Sequence, residues 1–119
     1  MSEVSQHGGI RISDDVVSSI AGFAAMETKG VTAMSGGISE GIAKRISGRH
    51  IQKGVIVEVG ELEAAIDLRV IIQYGLHVQD VCRALQENVK SAVENMTGLN
   101  VIEVNVKVEG ISLKEETDV

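Results

Sequence analysis

The sequence contains no proline and no tryptophan, and only one phenylalanine, one tyrosine and one cysteine among 119 residues. Each scarcity removes a class of function. With Phe23 and Tyr74 as its aromatics, the chain has no set of flat faces on which bases or sugars could stack. The single thiol, Cys82, can form neither an internal disulfide nor a thiol-rich zinc site, which fits a reducing cytoplasm. Long apolar runs are missing too. The longest uncharged one, Val16 to Met26, is too short to span a bilayer. The polar, acidic start MSEVSQHGG does not resemble a signal peptide. Basic residues are outnumbered 11 to 17, and the net charge of −6 repels phosphate polymers on average.

A chain of this length forms one domain and buries roughly two-thirds of the surface its unfolded form exposes. Residues 1–8 and 112–119 lack apolar periodicity and are expected to be flexible tails around a domain spanning 9–111. Without proline, glycine punctuates the chain. Ile10-Arg11-Ile12 suggests a short extended stretch. Ser13 then stands where a helix N-cap belongs, and Asp14 and Asp15 favour the positive helix end. Val17, Ile20, Ala21 and Ala24 recur at helical spacing, with Val16 and Phe23 widening the stripe, and Lys29-Gly30 is expected to close the helix. Around Gly22 the helix is small-sided, which predicts a close neighbour. Val31 to Met34 suggests a short strand, and the glycine-rich connector Ser35 to Gly54 leaves room for a helical turn or two near Ile38 to Ile46.

A hairpin follows. Val55, Val57 and Val59 alternate with Ile56 and Glu58, and Ala64, Ile66, Leu68, Val70 and Ile72 alternate with Ala65, Asp67, Arg69 and Ile71. A two-residue Gly60-Glu61 turn of type II′ sets Val59 against Leu62, Val57 against Ala64 and Glu58 against Glu63. Val78, Val81, Cys82, Leu85, Val89, Ala92, Val93 and Met96 make one apolar stripe, a second helix ended by Gly98. Ile102, Val104, Val106 and Val108 alternate with Glu103, Asn105, Lys107 and Glu109 as a last strand. The fold class is α+β: a small mixed sheet with a long hairpin and two main helices packed on one face. The other face carries Ile56, Ala65, Asp67, Arg69 and Ile71. It is neither core-like nor fully polar, with no helix left to cover it, and is the candidate self-association face. An ordinary solvated sheet face would carry the same residues.

Catalytic and ligand patterns are thin. A phosphate loop needs Lys and Ser or Thr straight after its second glycine; Ile42 and Ala43 follow Gly41 instead. Lys44, Arg45, Arg49, His50 and Lys53 form the one concentration of positive charge, and Lys44, Arg45, Arg49 and Lys53 are a candidate anion or partner patch, although such a run is usually a solvated loop. The strand and helix order invites comparison with KH-type RNA modules, but no GxxG clamp occurs. His7, His50 and His77 are too scattered to gather a metal; His77 falls near the second helix start, in a local structural role. Cys82 lies on an apolar stripe, where a thiol is inert. Asp67 and Arg69 read as a surface charge pair, and Glu58, Glu61 and Glu63 crowd an exposed tip rather than a cleft. No catalytic, metal or cofactor site is expected.

VTAMSGG (Val31 to Gly37), KGVIVEVGELEAAIDLRVIIQYG (Lys53 to Gly75) and MTGLNVIEVNVKVEGI (Met96 to Ile111) resemble the alkaline shock protein family, the Gls-type envelope stress response proteins of Gram-positive bacteria. The resemblance runs from Gly9 to Ile111. It implies a small cytoplasmic protein, not an enzyme, tied to cell-envelope stress; some members polymerise and reach the membrane through a separate integral anchor. The family brings no catalytic or metal residue. Arg69 stands where many relatives carry an aromatic, and His77 replaces a small hydroxyl cap. The expectation is a scaffold or adaptor that forms homo-oligomers and binds a membrane-anchored partner at the cytoplasmic face. It binds no nucleic acid and does not insert into the membrane. The alternative, also implied by the family, is a regulator of fatty-acid synthesis that binds acetyl-CoA carboxylase, with the basic connector as the contact.

Overall fold

A computed structural model describes residues 7–36, 50–52 as backbone, and 54–113. The elements are α1 (Asp14–Met26), β1 (Val31–Met34), β2 (His50–Gln52), β3 (Val55–Val59), β4 (Glu63–Gln73), α2 (Val78–Thr97) and β5 (Asn100–Ser112). The fold is α+β, two helices against one mixed sheet. The helical turns expected near Ile38 to Ile46 fall outside the described residues.

Ser13 caps α1 as its sequence position predicts: its backbone is extended and its side chain accepts from the Val16 N–H at 3.3 Å. The preceding Ile10 to Ile12 is not a strand. It finds no ladder, and Ile10 is left 89% exposed while Ile12 packs on the core. The helix ends at Met26, earlier than Lys29-Gly30 suggests. Gly30 instead makes the turn into β1 with φ +99°, and any Cβ there would lie 2.9 Å from Leu76 Cδ1 and from Val81 Cγ2. The buried stripe is Val17, Ser18, Ala21, Ala24 and Ala25; Val16 and Phe23 face out. The small-sided stretch does meet a close neighbour, since Val55 Cγ2 would sit 3.6 Å from a Cβ on Gly22.

β4 organises the sheet. Along one edge it pairs antiparallel with β3 and, further on, with β1; along the other it pairs parallel with β5; β2 lies outside β3. Ser35 donates to the Arg69 carbonyl, and Arg69 donates back to the Gly54 carbonyl. The connector therefore leaves and rejoins the sheet at one place. The hairpin register differs from the expected one by two residues: Val59 faces Ala64, Val57 faces Ile66 and Glu58 faces Ala65. Gly60 lacks the positive φ of a type II′ turn. The longer turn also separates Glu58 from Glu63, removing a like-charge pair, and it leaves Leu62 exposed. A slip of two keeps every side chain on its own face, so the inner face is as the alternation predicts.

That face is the core. Ala64, Ile66, Leu68, Val70 and Ile72 are each at most 1% exposed and meet Val17, Ala21 and Ala25 from α1 and Val81, Leu85, Val89 and Val93 from α2. Each of the Ile, Leu and Val side chains contributes roughly 1.5–3 kcal/mol by leaving water, and each alanine less. α2 ends at Gly98, whose φ of +78° makes the left-handed cap. The helices are joined by Asn88, which donates to Thr28 Oγ1 at 3.0 Å while that hydroxyl donates to the Ala24 carbonyl. β5 does not alternate without a break. Register shifts opposite Ala64/Ala65 and Val70/Ile71 mark two bulges. The first puts Val101 into the core and turns Ile102 out to 55% exposure.

Candidate interaction surface

The odd-numbered residues of β4 point away from both helices. Ala65, Asp67, Arg69 and Ile71 are all part-exposed, alongside Glu103, Asn105 and Lys107 of β5 in the parallel register Asp67 to Asn105 and Arg69 to Lys107. Charged groups on this face are held in order. Asn105 Nδ2 donates to Asp67 Oδ1 at 2.9 Å and to Glu103 Oε2 at 3.3 Å. Glu109 accepts from the Ser35 hydroxyl at 2.6 Å and lies 3.8 Å from both Arg69 Nε and Lys107 Nζ. Asp67 and Arg69 thus each reach across to β5. Periodicity could place the two on one face, but not name partners on a strand whose pairing was unknown.

Of the five residues expected to form the open face, four are part-exposed. Ile56 shares their side of the sheet but is only 8% exposed. It stands on an interior strand, flanked by β2 and β4, and offers no surface. A cavity of about 30 Å³ beside it, lined by Glu58, Ala65, Asp67 and Glu103, holds about one water. Lys44, Arg45, Arg49 and Lys53 lie outside the described residues. Both described helices, α1 and α2, lie on the inner face.

Elsewhere, a groove of about 850 Å³ runs between Ile10, Arg11, Asp14, Glu61, Leu62 and Leu99 at the hairpin end. His77 is not part of it. That residue occupies the N-cap position of α2 without a side-chain capping bond, and its Nδ1 lies 3.4 Å from the exposed Asp80 carboxylate. The Cys82 thiol is pushed up from its ordinary pKa by partial burial, so it stays protonated and slow to react at neutral pH. No three metal-ligating side chains gather among the described residues, and no described helix is long and apolar enough to cross a membrane.

Sequence patterning missed the outer edge of β5, which among the described residues pairs with no strand but β4. Gln86, Lys90 and Glu94, spaced by four along α2, reach over to it. Gln86 donates to the Val104 carbonyl at 2.9 Å, Lys90 to the Val101 carbonyl at 3.4 Å, and Glu94 accepts from the Val101 N–H at 2.9 Å. The Val101 N–H, followed by Lys90, holds the Glu94 carboxyl below its ordinary pKa. The i, i+4 spacing of the three was visible in the sequence, but reads there as an ordinary solvated helix face.

The folding unit resembles in fold a solved structure, the copper form of the MamM CTD, with a TM-score of 0.50 over 88% of this chain and 90% of that one, at 14% identity. Closer relatives are seen in sequence. The chain is 33% identical over 104 residues to the uncharacterized protein YqhY of Bacillus subtilis, covering 87% of this chain and 77% of that protein. It is 34% identical over 110 residues to a stress response regulator gls24 homolog of Streptococcus pyogenes, covering 92% of this chain but 62% of that protein's length. A family model described as having a cell envelope-related function matches residues 2–113. The ordered outer face, the parallel β4–β5 pair and the VTAMSGG and hairpin strings all lie inside that match, and the chain belongs to the alkaline shock protein 23 (Asp-23) family.

Proposed function

We propose that this protein is a non-enzymatic adaptor in the envelope stress response, which self-associates and binds a membrane-anchored partner through the outer face of its sheet. The observation that carries this reading is the ordered outer face itself. Ile71 and Ala65 supply apolar area, and the ladder of Asp67, Asn105, Arg69, Lys107 and Glu109 is held in place before any partner arrives. A pre-ordered mixed face loses little side-chain entropy on binding. Family membership and the name of the streptococcal relative support the stress-response setting.

Affinity capture from a solubilised membrane fraction tests the partner. The wild-type chain is expected to retain a membrane protein that Ile71→Lys does not, because a lysine there places a desolvated charge at the contact. Equal capture by both proteins contradicts the assignment of this face.

A further inference from the structure

The outer face is not the one surface suited to a second copy. We propose that the free edge of β5 pairs antiparallel with the same edge of another chain, about a two-fold axis at Asn105. The proposal rests on the self-association reading above and gives it a second contact.

An unpaired strand edge is a template for another strand. The β5 edge is partly closed: side chains of α2 take Val101 N–H, Val101 C=O and Val104 C=O. Beyond Val104 no such bond is made among the described residues. The two bulges leave one straight run, Glu103 to Val108. Asn100 donates towards β4, to the Leu62 carbonyl, so the Val101 groups point outward. After the bulge at Ile102 the outward parity passes to Val104 and, by alternation, to Val106.

Charge selects the register. A two-fold axis at Asn105 sets Val104 against Val106 of the second copy, continuing the apolar inner face. It also sets Glu103 against Lys107 of the second copy, twice by symmetry. An axis at Val106 opposes Glu103 to Glu109, and one at Lys107 opposes lysine to lysine. An axis at Val104 leaves Lys107 with no acid opposite. The Val104 carbonyl has a second lone pair beside the one Gln86 uses. Asn105 falls at a non-hydrogen-bonded position, where facing Cα atoms approach to about 4.5 Å, within reach of a disulfide.

Two experiments test it. In a Cys82→Ala background, Asn105→Cys should cross-link to a covalent dimer under mild oxidation, and Glu103→Cys or Lys107→Cys alone should do so far less. In sedimentation equilibrium, Glu103→Lys and Lys107→Glu should each weaken the dimer by roughly fivefold to tenfold, and the E103K/K107E double variant should restore it. Failure of Asn105→Cys to cross-link, or of the double variant to recover, overturns the edge pairing. If Ile71→Lys alone weakens assembly and the β5 variants do not, the edge proposal falls while self-association stands. A protein that stays monomeric at every concentration removes both.

Discussion

The two faces of β4 carry alternate residues of the same eleven-residue strand, yet they are built on different terms. Inward, Ala64, Ile66, Leu68, Val70 and Ile72 are sealed by two helices. Outward, Ala65, Asp67, Arg69 and Ile71 stay part-exposed, with Asp67 and Arg69 bonded across to Asn105 and Glu109 of β5. The inner face spends its apolar area on the chain's own stability. The outer face keeps a smaller apolar area at Ala65 and Ile71, which the proposed function reserves for another molecule. Substitutions on the two faces should therefore separate folding from assembly.

The largest expected effect is on the inner face. Ile66→Ala, at a site with 0% exposure, should lower unfolding stability by about 2–5 kcal/mol in denaturant titration. Ile71→Lys, five residues on, should shift it by no more than about 0.5 kcal/mol while reducing assembly. Equal losses at both sites would erase the distinction. Gly30→Ala probes the end of the inner layer, where φ is +99° and Leu76 and Val81 leave no room for a Cβ. It should cost roughly 1–3 kcal/mol by thermal melt. Ser18 is the one buried side-chain polar atom without a hydrogen-bond partner among the described residues. Ser18→Ala should stabilise by about 1 kcal/mol, sharpening the claim that the inner face needs apolar groups alone.

The smallest effect lies at the boundary between helix and edge. Glu94 has its folded pKa lowered by the Val101 N–H and then by Lys90. Its contribution is complete above the ordinary glutamate range and is lost as pH falls through the folded value. Glu94→Gln should make the decline in stability below that range shallower, as read by melting temperature against pH.

Much of this was legible in sequence because burial has a period. The stripes Val81, Leu85, Val89 and Val93, and Ile66, Leu68, Val70 and Ile72, mark the core, and Ser13 and Gly98 mark helix ends by their capping chemistry. The period could not fix the hairpin turn, because registers two residues apart satisfy the same alternation. Nor could it show the bulge that turned Ile102 out, which depends on how β5 meets β4. For the outer face, sequence gave the side on which each residue lies, and Ile56 shows the gap between side and exposure. The clamp of Gln86, Lys90 and Glu94 was out of reach for a different reason: its acceptors and donor are backbone atoms of β5, which carry no sequence signal.

Light scattering on the purified wild-type protein and on Ile71→Lys, over a hundredfold range of concentration, tests the outer face most directly. The account predicts that the wild-type mass rises with concentration and that the variant, equally stable, assembles more weakly. A wild-type mass fixed at the monomer value, or identical curves for the two proteins, would contradict it.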